Sequence, residues 1–219
     1  MPDHAVIGYV HGGTVRSEFC ASLIGTMLDG STPVDAILTY QSGPNISTAR
    51  NLVVDDFLTR QHAPWLLMAD TDMVFAADAL SRLVESASPD TRPIIGALCW
   101  SQNDGATDPY PTMYDLAEND DGALAFRRPV FWAKGAVRKV SATGAAFLLM
   151  HRDALAKIAA SSGDSAAPWF RESAVGARLS LMGEDMTFCL RAAAAGLPVY
   201  VNTAVQVGHV KPVMLGKVN

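Results

Sequence analysis

Cysteine is scarce in this 219-residue chain: Cys20, Cys99 and Cys189 lie far apart. They form no CxxC pair and leave an odd count, which excludes a disulfide framework and a cysteine-built metal site. A reducing cytoplasm is the expected location. Positive charge is also short, with 17 Lys and Arg against 22 Asp and Glu, a formal charge of -5 and a pI near 5.4. Nucleic-acid binding through the overall field is thereby excluded, although a local basic patch remains compatible. No apolar run approaches the roughly 18 to 20 residues of a membrane span, and no basic segment followed by a long apolar one opens the chain. A soluble, unexported protein with no membrane partner is expected. Neither an internal repeat nor a low-complexity linker divides the chain, so a single domain over residues 1–219 is expected.

What is present describes a globular protein, 49% hydrophobic and 18% charged. The apolar run AVIGYV stops at the glycines of HGGTV, and SEFCASLIGTML then carries Phe19, Leu23, Ile24 and Met27 at helical spacing. VDAILTY leads through Gly43-Pro44 to STARNLVVDDFL, where Ala49, Leu52, Val53 and Phe57 make one helical face. WLLMAD, then DALSRLVESA with Leu80, Leu83, Val84 and Ala87 in register, then PIIGALCW repeat the alternation. Such alternation predicts an α/β fold, Rossmann-like, with a mostly parallel central sheet flanked by helices. Residues 100–140 lose the periodicity and read as an irregular insertion. After them KVSATGAAFLLM predicts a buried strand, HRDALAKIAA a helix, GEDMTFCLRAAAAG a last helix with Met182, Met186, Cys189 and Ala193 on one face and Gly196 as its C-cap, and PVYV a strand.

The third strand, PWLLMADTDMVF, ends in two carboxylates, Asp70 and Asp72. In open α/β sheets ligands bind beyond the carboxyl ends of the strands. Two acids there repel unless a cation joins them, and Mg2+ or Mn2+ favours oxygen ligands; solvated turn or capping aspartates are the alternative. Arg50 falls near the start of its helix, where the macrodipole disfavours a cation. An anionic ligand such as a diphosphate would satisfy both, as would a surface pairing with Asp55 or Asp56. Glu184 and Asp185 open the last helix, where acids also serve as ordinary N-terminal residues. His209 follows a glycine in VQVGHV near the chain end, as a ligand or as a structural histidine.

Together these stretches resemble the GT-A class of nucleotide-sugar glycosyltransferases, over most of the chain from AVIGYV to VGHV. ADTDMVF looks like the DxD motif of that class and STARN like its nucleotide-approaching segment. VSATGAAFLLMHRDAL, PWF and GEDMTFCLRAAAAGLPVYV look like the acceptor half of glycosyltransferase family 2. VGHV is similar to the element in polypeptide N-acetylgalactosaminyltransferases and mannosylglycerate synthase whose histidine joins the DxD in holding manganese. The resemblance implies a GT-A domain with a nucleotide-sugar half over 1–99 and an acceptor and catalytic half over 100–219, too short to add a lectin module or membrane anchor. It implies that Asp72 binds Mn2+ or Mg2+ directly, that Asp70 contacts the ribose or the metal shell, and that His209 is a further ligand. His11 and Gly12 would hold base and ribose, and Arg50 and Lys211 would add charge at the donor diphosphate. The tail KPVMLGKVN would be a flap ordering on donor binding. In inverting members the aspartate of the ED pair is the general base, which would be Asp185 with Glu184 in support. Retaining relatives with the VGH element need no such base, and the chain carries both signatures.

The expected donor is a nucleoside diphosphate sugar, in this class most often a UDP-sugar. The acceptor side should fall in 100–140, where Trp100 and Trp132 stand among aromatics with Arg127, Arg128, Lys134, Arg138 and Lys139; Trp169 of PWF is a third candidate. That mixture suits a sugar face, or an unstacked base with its phosphates. The compact form resembles glycosyltransferases encoded by actinobacterial phages, which implies as acceptor a hydroxymethylated pyrimidine in phage DNA, a virion protein or a glycan. A nucleotidyltransferase also uses paired aspartates, but the glycine-rich basic phosphate loop of that class is missing here. A non-catalytic nucleotide-sugar-binding module is the alternative outside enzymes.

Overall fold

A computed structural model describes residues 3–102, 108–118, 122, 124–163, 166–175 and 180–212. The first half follows the expected alternation: β1 (Ala5–His11), α1 (Ser17–Asp29), β2 (Val34–Gln41), α2 (Ile46–Arg60), β3 (Trp65–Asp70), β4 (Met73–Val74), α3 (Ala79–Ser86) and β5 (Ile94–Ser101). The segment read as irregular instead contains β6 (Tyr110–Pro111), β7 (Met113–Glu118), β8 (Leu124–Arg127) and β9 (Val137–Val140). These strands are short and carry little alternation, so no period announces them. There follow β10 (Ala142–Thr143), β11 (Phe147–His151), α4 (Arg152–Ser162), β12 (Ser173–Val175), β13 (Ser180–Met182), α5 (Glu184–Ala194) and β14 (Val199–His209).

The main sheet runs β2-β1-β3-β11-β5-β14-β4, with β6 on β5 and β9 on β14. β1 pairs parallel with β2 and β3, and β14 parallel with β5, whereas β11 is antiparallel to both of its neighbours. The sheet is therefore mixed, which corrects the expectation of a mostly parallel one. β11 begins beside the carboxyl end of β3, where the Asp70 amide donates to the Ala146 carbonyl at 2.9 Å and Phe147 pairs with Ala69, and it runs back toward Trp65.

Strand periodicity builds two cores. Trp65, Leu67 and Ala69 of β3 point to one face with Phe147 and Leu149 of β11, under α1 and α3. Leu66 and Met68, with Leu148 and Met150, point to the other, under α2, α4 and α5. On α3 the expected stripe holds, with Leu80, Leu83 and Val84 buried. On α1 it does not: Ile24 and Met27 are exposed, while Ser22 and Thr26 are buried beside Phe19. Ser22 Oγ accepts a hydrogen bond from the Phe75 amide at 3.1 Å, so the contact needs a small polar residue. On α2, Leu52 is exposed and Arg50 and Asn51 are buried. On α5, Cys189 is buried but Ala193 is exposed. α2 lies so close on β1 that a Cβ on Gly8 would stand 2.3 Å from Val53 Cγ1.

Candidate active site

The carboxyl ends of β1, β3 and β5 open onto one edge, and the end of β14 reaches the same place by pairing antiparallel with β4, His209 opposite Met73. The Val210 amide donates to the Asp72 carbonyl at 2.9 Å, which closes the turn of the DxD segment against the chain's last strand. His209 thus meets Asp72, with Nε2 2.8 Å from Oδ2, while its Nδ1 lies 2.9 Å from the Trp100 carbonyl. Lys211 Nζ stands 3.8 Å from the same Asp72 oxygen and is largely exposed.

α2 starts at Asn45, whose side chain accepts from the Ser47 and Thr48 amides. Arg50 is the fifth residue of α2, just past the first turn, and it is 3% exposed. Its Nη2 donates to Asp70 Oδ1 at 2.7 Å and its Nη1 to Glu184 Oε1. Asp55 and Asp56 are not its partners; Asp56 accepts from the Tyr40 hydroxyl and pairs with Arg60 instead. Burial works against the Arg50 charge, but Asp70 and Glu184 outweigh it, so its pKa lies above the ordinary value. Asp185 accepts from the Met186 amide at 2.7 Å. Burial first, then the Glu184 charge, raises its carboxyl above the usual Asp range, with Arg50 opposing.

Two clefts share Ile46 and Asp70. The first, about 300 Å3, is lined by His11, Gly12, Thr14, Arg16, Ser42 and Asp72. The second, about 250 Å3, is lined by Arg50, Trp100, Thr112, Glu184, Asp185 and His209. Thr14 lies in the VHGGTV loop expected at base and ribose, whereas Arg16 and Ser42 escaped sequence reasoning because they belong to loops without a motif. Trp132 stands beside Trp100, ring centroids 6.5 Å apart. Trp169 joins neither cleft: it is buried, and its indole N–H donates to the Leu155 carbonyl at 2.8 Å. Its neighbour Phe170, also of PWF, lies beneath Arg50, with the guanidinium carbon 5.8 Å from the ring centre. Arg128 stacks on Tyr110 at 3.9 Å, Arg138 pairs with Asp115, and Lys134 and Lys139 are exposed. Residues 213–219 of the expected flap lie outside the described residues.

Of the three expected metal ligands, Asp72 and His209 are in contact, whereas Asp70 gives one oxygen to Arg50. Among the described residues no group of three or more such side chains is preassembled for a metal. The donor chemistry nonetheless fits one. The Trp100 carbonyl can only accept, so Nδ1 donates to it and Nε2 is left facing the Asp72 carboxylate 2.8 Å away. A nitrogen and a carboxylate oxygen so close are joined by a proton or a cation, and an imidazole with a carboxylate is a ligand set that Mn2+ accepts. Asp72 and His209 would hold the ion, with Asp70 beside them.

The fold is GT-A-like. GalNAc-T7, a GT-A glycosyltransferase whose structure was solved with UDP, GalNAc and Mn2+, matches 96% of this chain with a TM-score of 0.63 and 10% identity, and this chain spans 43% of its length. A197 from STIV matches 95% of this chain and 86% of its own, with a TM-score of 0.60 and 16% identity. At such identities the likeness establishes the fold alone. No protein-family profile matches the chain, and no curated protein matches it in sequence. Among the described residues no helix is long and apolar enough to cross a membrane.

Proposed function

We propose that the chain is a metal-dependent glycosyltransferase that moves a sugar from a nucleoside diphosphate sugar, preferentially a UDP-sugar, to an acceptor hydroxyl. The carrying observation is the meeting of Asp72 with His209 at the junction of two clefts that share Asp70. The first cleft is the donor site: His11 and Gly12 approach base and ribose, and Lys211 adds positive charge at the diphosphate. When bound, the metal supplies Lewis-acid stabilisation of the leaving diphosphate. Asp185, in the second cleft, removes the proton from the acceptor hydroxyl as the new glycosidic bond forms and the diphosphate leaves. A raised carboxyl pKa suits a proton acceptor, and a base in that place supports inversion. Trp100 and Trp132 offer aromatic faces to a sugar or a base, which suits a glycan, a protein-borne acceptor or hydroxymethylated DNA. Three free thiols suit a cytoplasmic setting.

A thermal-shift panel of nucleoside diphosphates with and without Mn2+ tests this reading. Metal-dependent stabilisation by one nucleotide supports it and names the base; no shift with any nucleotide overturns it.

A further inference from the structure

Three acids crowd the junction of the clefts: Asp70 at the end of β3, and Glu184 and Asp185 at the start of α5. Partial burial strengthens repulsion among like charges. Arg50 stands between them, donating to Asp70 at 2.7 Å and to Glu184 on its other nitrogen. At 3% exposure it has little open surface for a phosphate, and its Nε is buried with no hydrogen-bond partner.

The next residue grips the same region. Asn51 Nδ2 donates to the Phe170 carbonyl at 2.7 Å, and its Oδ1 accepts from the Trp169 and Phe170 amides, each at 3.2 Å. Phe170 in turn stacks on Phe188 of α5, centroids 4.8 Å apart and planes 11° apart. α5 is therefore fixed from α2 at two points, an acid at its start and an aromatic ring one turn on.

We infer that Arg50 is a positioning residue, which locks the acids at the start of α5 to Asp70 and so sets Asp185 against the donor, and is not a ligand of the donor phosphates. This rests on the glycosyltransferase reading. Asp185 follows Glu184 directly, so a shift of Glu184 moves the proton acceptor, and a displacement of about 1 Å in such a group costs about 100-fold in rate.

The test compares wild type with Arg50→Lys and with Arg50→Met/Glu184→Gln, the second leaving no unpaired Glu184 charge where Arg50→Met alone could fail to fold. Calorimetry reads the Kd of UDP with Mn2+, and UDP release from the UDP-sugar of the selected nucleotide reads kcat and KM. A positioning role predicts a Kd within about threefold of wild type in both variants, a kcat about 100-fold lower in the double variant with little change in KM, and partial recovery in Arg50→Lys. A Kd raised tenfold or more in both would make Arg50 a phosphate ligand and overturn the inference. Unchanged kcat would reduce it to a fold contact and overturn it equally. Wild type that binds no UDP with Mn2+ would overturn the donor reading itself. Urea unfolding of wild type, Arg50→Lys, Glu184→Gln and Arg50→Lys/Glu184→Gln then tells the two failures apart, since coupling between Arg50 and Glu184 reports the bridge without any ligand.

Discussion

His209 Nε2 lies 2.8 Å from Asp72 Oδ2 across 137 residues of sequence, with the Trp100 carbonyl holding the far side of the ring. A nucleotide that needs a metal at this pair should stabilise the protein only when both side chains are present. At a nucleotide concentration 100-fold above Kd, Mn2+ with the preferred diphosphate is expected to add about 2.7 kcal/mol, a Tm rise of about 5–10 °C for a chain of this size. Asp72→Ala and His209→Ala should each abolish the metal-dependent part of that rise. A full shift in either variant would remove the pair from the site.

Asp185→Asn is expected to lower kcat by about 10^2- to 10^4-fold with UDP affinity retained, the loss of a general base without loss of donor contacts. In wild type, kcat/KM should rise with pH on an acid limb above the ordinary Asp value, because burial and Glu184 raise the carboxyl pKa. The same shift has a stability sign. The folded carboxyl holds its proton more tightly than the unfolded one, so ionisation destabilises the fold as pH rises through the folded pKa. Asp185→Asn should therefore melt above wild type at pH 7, which differential scanning calorimetry would read; a lower Tm would contradict that reading of its environment.

His151 caps α4 by accepting from the Asp153 amide, and its ring packs edge-on against Trp65 at 4.8 Å. Burial lowers its pKa, with Asp153 opposing. A depressed His pKa means that the unfolded chain binds the proton first, so stability should fall as pH drops below about 6.5. His151→Asn keeps a capping oxygen and removes the titration. The slope of Tm against pH between about 5 and 6.5 should be shallower in this variant, and an identical slope would assign the acid sensitivity to other groups.

Gly8→Ala would bring a Cβ to 2.3 Å from Val53 Cγ1 and push α2 off β1. Overpacking of this kind is expected to cost about 1–3 kcal/mol, or about 2–10 °C in Tm. Because α2 carries Arg50, catalytic turnover should fall as well. Gly8→Ala/Val53→Ala should recover most of both; failure of the second substitution to recover either would mean that α2 does not rest on this contact.

Much of the first half was legible because its strands are long and its turns are marked. AVIGYV, VDAILTY, WLLMAD and PIIGALCW all became strands, and α3 buried the leucines that its period indicated. The α2 stripe was misread at Leu52 because two of the buried positions are Arg50 and Asn51, polar residues whose burial only partners from β3, α5 and the 169–170 segment make affordable. Trp169 and Phe170 are adjacent aromatics of one tripeptide, and nothing in PWF says that both enter the core, the second of them beneath Arg50.

The sequence by itself determined the strand–helix alternation, the carboxylates at the tip of β3 and the acids opening α5, since period, strand ends and helix starts are local properties of the chain. Only the tertiary structure decided that β11 runs backward through the sheet, that β14 carries His209 onto Asp72, and that Arg50 faces two acids instead of solvent. Each of these depends on pairing between segments far apart in sequence, where hydrogen-bond geometry and charge compensation act through space and leave no period to read.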